Sequence, residues 1–153
     1  MDKLKSSEIE ALLWKKSQME LDMHHKHLLQ EFLYAVNPSI YCIRTSKRWL
    51  PSIIAQSQIL IYVDARRLNN LDQFVKLLAD NPTQKIVINH ISEITDEQFG
   101  IAQLFYHILD HQVYEYKGTI LDFNRYTILM IQDECEKEYD DFYAYALRKM
   151  VRI

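Results

Sequence analysis

Helical and strand-type hydrophobic patterns alternate along the whole chain. Ser7 to Val36 reads as one long helix, capped by Ser6 or Ser7 and stopped at Asn37-Pro38, because the residue before a proline is driven out of helical space. Its apolar positions are Ile9, Leu12, Leu13, Met19 and Met23, then Leu28, Leu29, Phe32, Leu33 and Val36. The second set keeps helical spacing. The polar stretch from Asp22 to His27 interrupts the stripe, so the first half is expected to project or to pack on a partner. Ser39 to Ile43 and Ile59 to Val63 are short apolar runs of strand type, with a short helix predicted between them over Trp49 to Gln58 and Pro51 near its start. A helix follows over Leu68 to Asp80, with Leu68, Leu71, Val75 and Leu78 on one face, and Asn81-Pro82 ends it.

A third strand begins at Lys85, and Thr95 is placed to cap a helix running to about His111, with Ile101, Leu104, Phe105, Ile108 and Leu109 as its buried stripe. Val113 to Phe123, around Gly118, reads as a hairpin or loop, Tyr126 to Ile131 as a fourth strand and Glu136 to Val151 as a last helix. Continuously apolar strands alternating with helices predict the α/β class, with a parallel sheet of about four strands and helices on both faces. The expected organisation is a long N-terminal helix over 1–37 and a single globular α/β unit over 38–153.

Composition narrows the reading. A chain of 153 residues with 48% hydrophobic and 25% charged residues suits one domain with a real core. A net charge of −3 supplies no bulk field for nucleic acid, which would need a local basic patch. Cys42 and Cys135 have no metal-type partner at short spacing, and the charged start Met1-Asp-Lys-Leu-Lys has no apolar core of a signal peptide. These features, with no apolar run long enough to span a bilayer, predict a cytoplasmic chain. Glycine is scarce. Only Gly100 and Gly118 occur, where average usage gives about ten. A nucleophile elbow and a phosphate-cradling loop both need glycines, and no Ser-His-Asp or Cys-His arrangement is legible either.

From Asn81 the features come in a specific order: Asn-Pro-Thr-Gln-Lys-Ile-Val-Ile-Asn-His, an acidic helix start, Leu104-Phe-Tyr-His-Ile-Leu-Asp110, Gly118-Thr-Ile-Leu-Asp-Phe123 and Thr127-Ile-Leu-Met130. The stretch from Asn81 to Gln132 resembles the second half of the AAA+ ATPase core, most closely that of the Clp-type unfoldases, and Ser39 to Asp64 fits the first two strands more loosely. The resemblance implies a P-loop-NTPase-like fold. In it an apolar strand ends in the Walker B Asp-Glu, then come a helix, a hairpin with a Gly-x-x-x-Asp-Phe run and a strand carrying sensor 1. The chain departs from that pattern wherever chemistry is needed. The Walker A loop would fall at Arg44-Thr-Ser-Lys-Arg-Trp49, which has no glycine. The metal-holding Asp is Asn89, the water-activating Glu is His90, and Gln132 stands at sensor 1. Asp64 and Ile86 are too close in sequence for the family's substrate-gripping loop, and the helical lid is missing.

The candidate site follows from fold logic. Loops after parallel strands gather on one edge, which assembles Arg44, Lys47, Arg48, Arg66 and Arg67 with Asn89, His90 and Gln132 as a candidate anion- or nucleotide-like edge. The plainer reading is solvated loop charge. His107 and His111 are four apart on the predicted helix, and His24, His25 and His27 cluster, but no further ligand or His-Glu-x-x-His motif accompanies them, so neither metal nor cofactor is predicted. The run from Asp133 to Asp141 suits the positive end of a helix dipole, or a basic partner. With it, Tyr139, Asp140, Asp141 and Tyr143 form the candidate partner-binding face.

The reading that follows is a non-catalytic protein-interaction module resembling an inactive AAA+ core. It is expected to be a regulatory or structural subunit whose partner is an AAA+ ATPase or another machine subunit. An oligomer is compatible with this reading, and neither membrane nor nucleic acid is expected as a partner. Two alternatives remain open: a small immunity- or inhibitor-type protein neutralising one partner, and a residual nucleotide- or metal-dependent hydrolase.

Overall fold

The computed structural model describes residues 23–47, 50–51, 54, 60–91, 93–94, 96–133, 149 and 151–152. In chain order these form α1 (Met23–Leu33), β1 (Ile40–Thr45), β2 (Leu60–Asp64), α2 (Leu71–Asp80), β3 (Lys85–Asn89), α3 (Phe99–Leu109), β4 (Val113–Tyr116), β5 (Thr119–Asp122), β6 (Thr127–Asp133) and β7 (Val151–Arg152). Five strands form one sheet in the order β2-β3-β6-β1-β7, and every pairing in it is parallel. β4 and β5 make a separate antiparallel hairpin.

Strand alternation divides the core in two. Cys42, Val63, Ile86, Ile88, Ile128 and Met130 point to the face carrying α2, α3 and the hairpin, where they meet Phe74, Leu78, Leu104, Phe105 and Ile108. Ile43, Val87, Leu129 and Ile131 point the other way, onto Leu29, Phe32 and Leu33 of α1 and onto Leu50 and Ile54. Burial on both faces accounts for the continuously apolar strands. Each such side chain, buried from water, contributes about 1.5–3 kcal/mol.

The chain leaves β1 on the α1 side and crosses to the far edge, then returns through β3 and β6 on the other side. Crossovers that run in opposite directions lie on opposite faces because each is right-handed. The crevice such a reversal creates opens at the C-terminal ends of the strands around β1 and β6.

Local chemistry sets several boundaries differently from the hydrophobic pattern. α2 starts at Leu71, not Leu68, because Asp64 and Asn70 hold the intervening backbone. The Asp64 side chain accepts from Arg66 N and caps a 3-10 turn over Ala65–Arg67, and Asn70 accepts from Gln73 N as the N-cap of α2. α1 ends at Leu33, so Val36 lies outside the helix and is 94% exposed. The carbonyl of Leu33 at that end accepts from the Lys85 ammonium, which ties α1 to β3.

α3 begins with a 3-10 turn, Asp96–Gln98, and Thr95 lies outside the described residues. Its other end is a Schellman motif, with Gln112 N–H donating to His107 O and His111 N–H to Ile108 O. His111 takes the left-handed position there at φ 56, where glycine is the usual residue. The hairpin turns on Lys117 (φ 48) and Gly118 (φ 84), both with the positive φ of a two-residue type I′ turn.

β7 is a fifth strand that its two residues were too few to reveal by periodicity, and it takes Val151 out of the predicted last helix. Lys149 stands in a turn, and the rest of that helix, most of the predicted 49–58 helix and residues 1–22 of the predicted long N-terminal helix lie outside the described residues.

Candidate functional site

The strand register brings the candidate residues to the C-terminal edge of the sheet, on two different faces. Arg44 on β1 is paired with Gln132 on β6, and both share the parity of Cys42 and Met130, the α2/α3 side. Asn89 on β3 is paired with Asp64 on β2 and shares the parity of Val87, the α1 side. Gln132 is fully buried and Arg44 is half-buried. Just beyond β1, Lys47 N–H donates to Thr45 Oγ1 at 3.0 Å, while Arg48 lies outside the described residues.

The polar groups on the α1 side are bonded to one another. Asn89 is 4% exposed. Its Nδ2 donates to the Tyr62 hydroxyl at 2.7 Å and its Oδ1 accepts from His90 N–H at 2.8 Å. His90 follows at φ 60, a left-handed conformation that a side chain with a Cβ adopts at a cost. Its carbonyl accepts from Glu93 N–H.

Arg66 folds back on Asp64 through Nε at 3.1 Å and Nη2 at 2.9 Å, and its Nη1 lies 3.8 Å from Glu93. Burial would raise the Asp64 pKa, but hydrogen bonds from the Arg66 side chain and backbone, the Arg66 charge and His90 together hold it below its ordinary value. Arg67 is exposed in the same 3-10 turn. The five predicted cations are therefore not equivalent, because Arg66 is committed to two carboxylates.

No family model matches this chain, and no curated protein matches it. The site is therefore read from its own geometry.

Three residues that organise this edge carried no signal in the hydrophobic pattern. Tyr62 is an outward position on a strand, 36% exposed, yet it is the partner of Asn89. Glu93 sits in a loop and closes on Arg66. Gln98 is buried, and its Nε2 donates to both Ala65 O at 2.9 Å and Leu68 O at 2.6 Å, clamping the Arg66-Arg67 turn to the start of α3. Gln98 stands three residues after Thr95, the spacing of a capping box, which is the one hint the sequence offered.

The histidine pair resolves differently from its spacing. His107 lies in the last turn of α3, with Nδ1 2.8 Å from Gln103 O and its ring edge-on to Tyr114. His111 is past the helix end, so the helical four-residue geometry does not hold for the two. Among the described residues no three His, Cys, Asp or Glu side chains converge in a metal-holding group. No helix among them is long and apolar enough to cross a membrane. Tyr139, Asp140, Asp141 and Tyr143, like His24 and His25, lie where no side chain is described.

Proposed function

We propose that this chain is a non-catalytic protein-interaction module on a core resembling that of the AAA+ ATPases, acting as a regulatory or structural subunit of a larger complex. The order β3, α3, hairpin, β6 follows the element order that the resemblance implies. The observation that carries the non-catalytic reading is the state of Asn89. It occupies the position where the family would hold a metal with a carboxylate, and its amide is spent on Tyr62 and on the backbone of His90. A neutral, internally bonded amide holds Mg²⁺ poorly, since that ion selects charged oxygen ligands. The neighbouring carboxylate, Asp64, is neutralised by Arg66. An anion arriving at this edge would meet the half-buried Arg44 and Lys47, and the stretch Arg44 to Trp49 has no glycine of the kind that opens a cradle of backbone N–H groups.

The test is phosphate release from Mg·ATP by the purified chain, alone and in complex with the protein it captures from its native cell. The reading expects a stable complex whose turnover is unchanged by His90→Ala in this chain. Turnover that depends on this chain and disappears with His90→Ala would instead identify a residual hydrolase.

A further inference from the structure

The hairpin of β4 and β5 has one covered face and one open face. Strand alternation turns Tyr114, Tyr116 and Leu121 onto the core beneath α2 and α3, where Leu121 is 1% exposed. The cross-strand pairs Val113–Asp122 and Glu115–Ile120 point the other way. Val113 is 55% exposed and Ile120 66%. They are diagonal neighbours across the two strands, a separation of about 7–8 Å that one partner side chain can bridge. Glu115 is exposed beside both, opposite Ile120 and two residues along from Val113. Large apolar side chains left in water at adjoining positions, rimmed by polar groups, mark an interaction surface.

The hairpin is held at both ends. The Tyr116 hydroxyl donates to Asp72 at 2.5 Å and Lys117 Nζ lies 3.2 Å from the same carboxylate, which pins the turn to the start of α2. At the other end Asn124 Nδ2 donates to His111 O at 3.0 Å. A face fixed in this way loses little conformational entropy when something docks on it. The two charges among its outward positions, Glu115 and Asp122, are both negative. Asp122 is engaged locally, since it accepts from Asn124 N–H and lies 3.7 Å from Arg125 Nε. Lys117 is turned to Asp72. Glu115 is therefore the charge that a partner meets beside the apolar pair. We infer that the open face of the hairpin docks a basic amphipathic segment of a partner protein, with apolar side chains on Val113 and Ile120 and a Lys or Arg on Glu115. A second copy of this chain fits worse, because two such faces would set carboxylates against carboxylates. The inference rests on the reading of this chain as an interaction module, but the two fail separately: turnover of Mg·ATP decides that reading, and docking at these three residues decides this one.

The probe is a synthetic amphipathic peptide of leucine and lysine, with a twin that carries glutamate in place of lysine. Each is titrated into the ¹⁵N-labelled full chain while the backbone amides of Val113, Glu115 and Ile120 are followed. The lysine peptide is expected to give saturable shifts at all three, and the glutamate peptide to bind there at least about tenfold more weakly. Ile120→Ser should weaken the lysine peptide by about fivefold or more. Glu115→Lys should invert the preference, so that the glutamate peptide becomes the tighter of the two. Both substitutions are at exposed positions, and unchanged amide spectra elsewhere in the chain confirm that the fold is kept. Shifts confined to other surfaces, such as the acidic run that begins at Asp133, would overturn the inference. So would equal binding of the two peptides, or shifts at the three amides that grow with protein concentration in the absence of peptide, which would make a second copy the occupant.

Discussion

Asn89→Asp restores a carboxylate to the strand end where the AAA+ resemblance would put one, and the structure predicts that the fold resists it. The side chain is 4% exposed, so the new carboxylate would sit largely out of water. It would also face Asp64 in register on β2, one strand spacing of about 4.8 Å away. Two donors are at hand, the His90 N–H and a Tyr62 hydroxyl turned to donate instead of accept, and they offset part of the desolvation. With burial and an Asp64 charge that Arg66 only partly offsets on one side, and two hydrogen bonds on the other, the new group's pKa should rise by about two units. At 1.36 kcal/mol per unit, the variant should lose about 2.7 kcal/mol at pH 7.

The sign can be checked by pH. An acid whose folded pKa is raised costs stability only once pH exceeds its unfolded value of about 3.9. The difference between variant and parent should therefore grow above pH 4 and level off above the raised folded pKa. Urea unfolding at several pH values, analysed by linear extrapolation, measures it. Tyr62→Phe, which leaves the Asn89 Nδ2 donor without its acceptor, should cost about 1–2 kcal/mol in the parent, and the double variant should be non-additive because the two side chains touch. A variant as stable as the parent at pH 7, or a difference flat across pH, would show that Asn89 is solvated and uncommitted, and the argument for a closed edge would fail.

His111→Gly should stabilise the protein by about 0.5–1 kcal/mol in thermal melts, because it relieves a left-handed residue at the Schellman cap of α3. Gln98→Leu keeps the volume but strips donors from Ala65 O and Leu68 O, and should cost about 2 kcal/mol in urea. Asp64 has a depressed pKa, so its contribution is present above its ordinary value of 3.8 and is lost as pH falls through the folded value. Asp64→Asn should flatten that acid limb of the stability curve, and an unchanged limb would contradict the Asp64–Arg66 account. Gly118→Ala should cost about 1 kcal/mol although nothing lies within 4 Å of the added carbon, because φ is +84 there and the penalty is wholly in the backbone.

The class of fold was legible because burial on both faces leaves a strong mark. Ile86-Val87-Ile88 and Ile128 to Ile131 are apolar at every position, and the helices that cover them keep a 3.6-residue period. The convergence of the strand ends was legible too, since parallel strands bring their C-terminal ends together. What the pattern missed are decisions made by single polar side chains. Asp64 and Asn70 compete for backbone N–H groups and hold α2 back to Leu71. β7 holds two residues, too few for any period to register. Arg66 read as one of five free cations, because nothing in sequence spacing shows that a guanidinium will turn back on the carboxylate two residues earlier and meet Glu93 on a later loop. The Tyr62–Asn89 bond joins residues 27 apart that meet only through strand pairing.

The central proposal is that the polar groups at this edge, Asn89 with Tyr62 and Asp64 with Arg66, are spent on one another rather than on a nucleotide. Titration of Mg·ATP into the ¹⁵N-labelled chain, following the backbone amides of Arg44, His90 and Gln132, tests it most directly. The account predicts no saturable shift at those amides at millimolar ligand. Saturable shifts at all three, accompanied by phosphate release that Mg²⁺ removal abolishes, would contradict it.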